Sequence, residues 1–147
     1  MDAFEAISLP EPSPLTAKKC FTVTEANRAL TLVRRIVTDI VTEYQKLRSL
    51  HEAHQKLNAQ GNIAAAEQAR EQYACVTDHL SRLREELEDI GCTLSGYNEG
   101  RVDFPARLEG RDIQLSWKLG EETIQYWHET DADLAERQPI IQTQGTP

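Results

Sequence analysis

The sequence predicts an α+β fold: a long antiparallel helical hairpin, coiled-coil-like along its seam, packed on a three-stranded antiparallel β-meander. Three observations predict it. Apolar residues recur at spacings of four and three through residues 22–90, broken only at "NAQGN". From residue 101 onward the period drops to two. The two-residue loops "EG" and "GE" then divide that stretch into three segments. The first pattern marks helix faces, the second half-buried strands, and the third tight hairpins.

The first helix opens at "FTVTEANRAL". Thr22 and Glu25 have capping-box spacing, so each side chain can bond the other's backbone N–H. Apolar positions 26, 30, 33, 37, 40, 44 and 47 then form one face. A turn around Gly61 leads to the second helix. Its face is Ile63, Ala66, Ala69, Tyr73, Val76, Leu80, Leu83, Leu87 and Ile90, and Gly91 is a natural stop. Folding the two antiparallel about the turn sets Leu47 near Tyr73, Ile40 near Leu80 and Leu30 near Ile90.

The strands are "VDFPARL", "RDIQLSW" and "ETIQYWHE". A type I′ turn at Glu109-Gly110 sets Ala106 opposite Ile113, Phe104 opposite Leu115 and Val102 opposite Trp117. A two-residue turn at Gly120-Glu121 sets Trp117 opposite Ile124, Leu115 opposite Tyr126 and Ile113 opposite His128. In that register His128 faces the hairpin, while Trp127 and Glu129 face away. Pro105 is expected on an outer strand, where its missing N–H costs nothing. Helices of this length span roughly 50 Å, against roughly 25 Å for the strands. Part of the hairpin should therefore project, with Leu47, Leu50, Leu57 and Ile63 near its bare end.

One domain, residues 21–137, is expected, with the hairpin over 22–90 and the meander over 101–130. Residues 1–20, with "PEPSP", read as a disordered leader and 138–147 as a flexible tail. The net charge of −8 argues against nucleic acid, because phosphate binding needs clustered Lys and Arg. No apolar run approaches the ~20 residues of a membrane span. Three scattered cysteines, with no paired spacing and no signal peptide, point to the cytoplasm.

Catalytic motifs are missing: there is no G-x-S-x-G, no phosphate-binding glycine loop and no H-E-x-x-H. No catalytic residue, metal ligand set or cofactor is assigned. His51 and His54 continue the first helix's seam and are read as polar residues near the hairpin tip. The candidate ligand- or partner-binding residues are His128, Trp127, Glu129, Arg101, Asp103 and Arg111. His128 ends an apolar row and either caps the core or serves a ligand or a proton. Trp127, placed among polar neighbours, suits a binding anchor. Arg101, Asp103 and Arg111 lie near strand ends, where they could frame an anionic pocket. Arg107 should face Asp112, with Glu129 on the other side of Asp112.

The patches "FTVTEANRALTLVRRIV", "GRVDFPARLEGRDIQLSW" and "GEETIQYWHETDADLAERQPI" together resemble the bacterial proteins grouped as domain of unknown function family 2203. The resemblance runs over about residues 21–140 and implies small, stand-alone cytoplasmic proteins without an assigned activity. The residues matching its motifs are Glu25, Asn27, Arg34, Asp103, Phe104, Pro105, Arg111, Trp117, Trp127, His128 and Glu129. The family pattern often has cysteine where Ser116 stands, so the resemblance implies no thiol chemistry at that position here.

Two functions from different classes follow. One is a non-enzymatic interaction or assembly protein, a homodimer formed through the projecting hairpin, with room for another protein partner. The other is a small-molecule or metal-binding protein, or an enzyme, with its site around His128. Convergence of the candidate residues on one pocket walled by Trp117 or Trp127 would favour the second.

Overall fold

The computed structural model describes residues 20–130 and 137–140. Helix α1 runs Val23–Ala59 and α2 runs Ile63–Ile90. The capping box forms: the Thr22 hydroxyl accepts from the Glu25 N–H, and the Glu25 carboxylate accepts from the Thr22 N–H, each at 3.0 Å. Asn62 caps α2 through the Ala65 N–H at 3.3 Å. Gly91, at φ 114°, ends it in the left-handed region that glycine enters without strain.

Among the described residues the sheet is an antiparallel meander of five strands, not three. They are β1 (Thr93–Gly96), β2 (Arg101–Leu108), β3 (Arg111–Lys118), β4 (Tyr126–Glu129) and β5 (Gln138–Pro139), in that spatial order. The two added strands are short edges. β1 carries a register irregularity between Leu94 and Gly96, which breaks the alternation that would have announced it. β5 spans two residues of the stretch read as a tail. The leader, apart from Cys20, and the tail beyond Ile140 lie outside the described residues.

The β2–β3 register is the expected one, with Val102 opposite Trp117, Phe104 opposite Leu115 and Ala106 opposite Ile113. Glu109 at φ 51° and Gly110 at φ 80° make the type I′ turn. Pro105 is not on an edge strand, because β1 flanks β2. Yet β1 pairs no further than Asp103, and beyond it Phe21 donates its N–H to the Pro105 carbonyl at 2.7 Å. The proline still faces no partner that needs its missing donor.

The β3–β4 register differs from the expected one by a single residue. Ile113 faces Glu129, Gln114 faces His128, Leu115 faces Trp127 and Ser116 faces Tyr126. The cause is the connection, which runs from Leu119 to Gln125 instead of turning in two residues. Two side chains of α1 hold it open. The Asn27 carbonyl oxygen accepts from the Ile124 N–H at 2.8 Å, and Arg34 donates to the Glu122 carbonyl at 2.9 Å. Ile124 is buried as expected, but it enters the core from this loop and not from a strand.

One face of the sheet meets the hairpin. Leu94, Val102, Phe104, Ala106, Ile113, Leu115 and Trp117 join Leu30, Val33, Val37, Ile40, Leu80, Leu83 and Leu87 in one core. Gly100 (φ 70°) brings the β1–β2 turn against α1. A Cβ there would lie 2.8 Å from the Val37 side chain, so only glycine fits. Tyr97 in the same turn stacks on Tyr44 with ring centroids 5.6 Å apart. Beyond that stack the two helices cover each other. Leu47, His54, Ala66 and Ala69 are buried, Leu50 and Leu57 are half-buried, and only Ile63 of the expected bare residues is largely exposed. Small residues at 66 and 69 allow that close approach.

A buried carboxylate–imidazole pair as the candidate functional site

Side chains alternate across a strand. The observed register therefore puts His128 on the sheet face turned away from the hairpin, beside Gln114 and diagonal to Ser116. Trp127 takes the opposite side and packs, half-buried, against the core. This reverses the expectation for both residues. His128 is nonetheless buried, at 3% exposure, so its shielding does not come from the hairpin core.

Asp103 stands on the same face, two strands away, opposite Ser116. His128 Nε2 reaches across β3 to Asp103 Oδ1 at 3.2 Å, and Nδ1 lies 2.8 Å from the Glu129 carbonyl. A carbonyl can only accept, so Nδ1 carries a proton. Nε2 and the carboxyl then share another, held by either atom. The pair clasps β2 to β4 over the buried Ser116. Burial pushes the Asp103 carboxyl above the usual carboxylate range, against the pull of His128, Arg101 and Ser95.

Ser, His and Asp together invite comparison with a nucleophile–base–acid relay, but the wiring differs. A relay needs one imidazole nitrogen on the nucleophile and the other on the acid. Here one nitrogen meets the acid and the other a backbone carbonyl. The Ser116 hydroxyl is fully buried and bonded to neither, with no hydrogen-bond partner among the described residues. The imidazole is not placed to take its proton.

Arg101 joins this cluster through its charge on Asp103, and its guanidinium lies 3.6 Å from Glu99. Arg111 and Glu129 do not. They form an ion pair of their own at 2.8 Å, largely in solvent. Glu129 thus faces Ile113 and Arg111, not Asp112, whose partner is Arg107 at 3.3 Å as expected. Of the six candidates the structure brings together Arg101, Asp103 and His128.

Arg137 was not singled out by the sequence. Its guanidinium sits 4.3 Å over the Tyr126 ring and donates to Glu121 at 2.9 Å and to the Ser116 carbonyl at 3.3 Å. It lies in a polar stretch with no periodicity, so no pattern marked it. Among the described residues no group of three or more His, Cys, Asp or Glu side chains is placed to hold a metal ion. Nor is any described helix long and apolar enough to cross a membrane.

A helical hairpin on a five-stranded meander, with an acid–imidazole clasp on the far sheet face, defines the class of protein. The chain belongs to the family described as "Uncharacterized conserved protein (DUF2203)", whose model matches residues 19–140. No curated protein and no solved structure matches it. The motif residues Glu25, Asn27 and Arg34 cap α1 and anchor the β3–β4 loop, while Asp103 and His128 make the clasp.

Proposed function

We propose that the protein acts by association, as a non-enzymatic interaction protein of the cytoplasm that pairs with a second copy through its helical hairpin. The observation that carries this reading is an open groove of about 850 Å³ along the hairpin. Thr42, Gln45, Lys46, Ser49 and Leu50 of α1 line one side, and Glu71, Gln72, Cys75 and Val76 of α2 the other. The half-buried Leu50 and Val76 supply an apolar centre between an exposed cation and an exposed anion. That charge arrangement is self-complementary. A two-fold axis through the groove would set Lys46 of each copy against Glu71 of the other, as a closed dimer requires.

Light scattering of the full chain at micromolar concentration tests this. A dimer is expected, reduced to monomer when Leu50 and Val76 are both replaced by Glu. A strict monomer in the unsubstituted chain would end the proposal. The second reading, a small-molecule or metal-binding protein centred on His128, draws support from the burial of the Asp103–His128 pair beside the Arg101 charge. Saturable chemical-shift changes at the His128 ring on titration with zinc or phosphate would favour it over association.

A further inference from the structure

We propose that Glu43 and His79 of two copies together bind one divalent metal ion of the zinc type, held between the paired hairpins. The inference rests on the association through the hairpin proposed above. Glu43 is on α1 and His79 on α2, and their side chains meet across the seam. Val37, Val41 and Tyr44 form the row of α1 that packs against the β1–β2 turn. Glu43, Lys46 and Leu50 follow one another at helical spacing on a different row. Lys46 and Leu50 line the groove, and so do Cys75 and Val76, one turn before His79 on α2. The pair therefore closes one end of the groove, on the surface that a second copy would cover.

Spacing, burial and charge all suit an ion here. His79 Nδ1 and Glu43 Oε1 lie 3.1 Å apart. Two donors on one tetrahedral ion, each about 2.0–2.1 Å from it, stand roughly 3.3 Å from one another. An ion can thus replace the shared proton with a small shift of either side chain. Glu43 is buried, and its other oxygen is held by Lys46 Nζ at 2.8 Å. A dimer that turns Lys46 toward the partner's Glu71 takes that cation away, and a buried carboxylate left alone is costly. A two-fold axis running along the groove keeps each level of the hairpin opposite itself, so the two Glu43–His79 pairs meet. Two carboxylates, two neutral imidazoles and one divalent ion sum to zero charge, and four donors complete a tetrahedron. One chain alone supplies two of them, in keeping with the absence of any group of three among the described residues.

The experiment titrates the full chain with zinc chloride by calorimetry, with light scattering in zinc and in EDTA and with imidazole signals followed by NMR. The expected result is saturable binding of one zinc per two chains, a shift toward dimer, and movement of the His79 ring signals while those of His128 stay in place. Glu43→Gln and His79→Gln should each weaken binding by about a hundredfold or more, beyond the usual cost of losing a supporting contact. Glutamine keeps the shape of Glu43, and His79 is exposed, so urea melts of both variants should match the unsubstituted chain. Cys75→Ser should leave zinc affinity unchanged. The site is overturned by the lack of saturable zinc binding, by full affinity in either glutamine variant, or by a loss on Cys75→Ser. A dimer in EDTA that takes up no zinc removes the metal site alone. A chain monomeric both with and without zinc ends the association reading and this one with it.

Discussion

Replacing Asp103 by Asn and by Ala separates what the clasp contributes as a hydrogen bond from what it contributes as a charge. Alanine removes the only partner that Nε2 has in the clasp, in a side chain 4% exposed. The expected loss is about 3 kcal/mol, where the range for an orphaned polar group meets that for a broken buried pair. Asparagine is nearly isosteric. Its amide can donate to Nε2 or accept from it, while Nδ1 still donates to the Glu129 carbonyl, so near pH 4 the loss should stay below about 1 kcal/mol. The pH dependence carries a sign. The folded-state pKa of Asp103 is raised, so the stability it contributes is fully present below the unfolded value. That contribution is lost as pH rises through the folded value. The Asp103→Asn variant lacks the titration, so it should gain on the unsubstituted protein as pH rises above about 4. Glu43, whose carboxyl is held low first by its hydrogen bond to Lys46, slopes the other way but is common to both proteins and cancels. Urea melts from pH 3.5 to 7.5 measure the difference. Equal losses for Asn and Ala, or an asparagine difference that is flat with pH, would refute the shared-proton clasp.

Two further substitutions test the frame around it. Trp117→Ala removes a fully buried indole that also donates to the Glu121 carbonyl at 2.9 Å. The loss should be about 3–5 kcal/mol in denaturant melts, and a value under about 1 kcal/mol would mean the core is misassigned. Asn27→Ala strips the Ile124 N–H of its acceptor and should cost about 1–2 kcal/mol, with faster amide exchange at Ile124. Unchanged protection there would show that the loop does not depend on α1.

The parts of the fold that the sequence made legible are those built from near neighbours in the chain. The 3.6-residue period and the caps gave both helices, and "EG" gave the β2–β3 register. The β3–β4 register was not legible, because its determinants, Asn27 and Arg34, lie nearly a hundred residues away. Local pattern also misled. Ile124, Tyr126 and His128 alternate like one strand face, yet Ile124 is buried from a loop and so sets no parity for the strand. Tyr and Trp are each half apolar and fit either side. The clasp was hidden for a related reason. Asp103, Ser116 and Gln114 alternate with core residues as a solvated face would, and nothing in their order says that the face is covered. Asp103, Arg101 and His128 stand among the sequence candidates, Arg101 by its place near a strand end, but nothing in the sequence marks them as neighbours; the structure brings them together.

The loop anchors also bear on the order in which the molecule assembles. Every strand pairs with the next in the chain, and the helices form a hairpin, so each half can close from short-range contacts. The bonds from Asn27 to Ile124 and from Arg34 to Glu122 bridge separations of 97 and 88 residues. They need both halves in place, so we expect them to form on the native side of the folding barrier. Weakening them should leave the refolding rate nearly unchanged and quicken unfolding. The family motif at the start of α1 would then act as a latch on the lifetime of the folded state, not as a guide to reaching it.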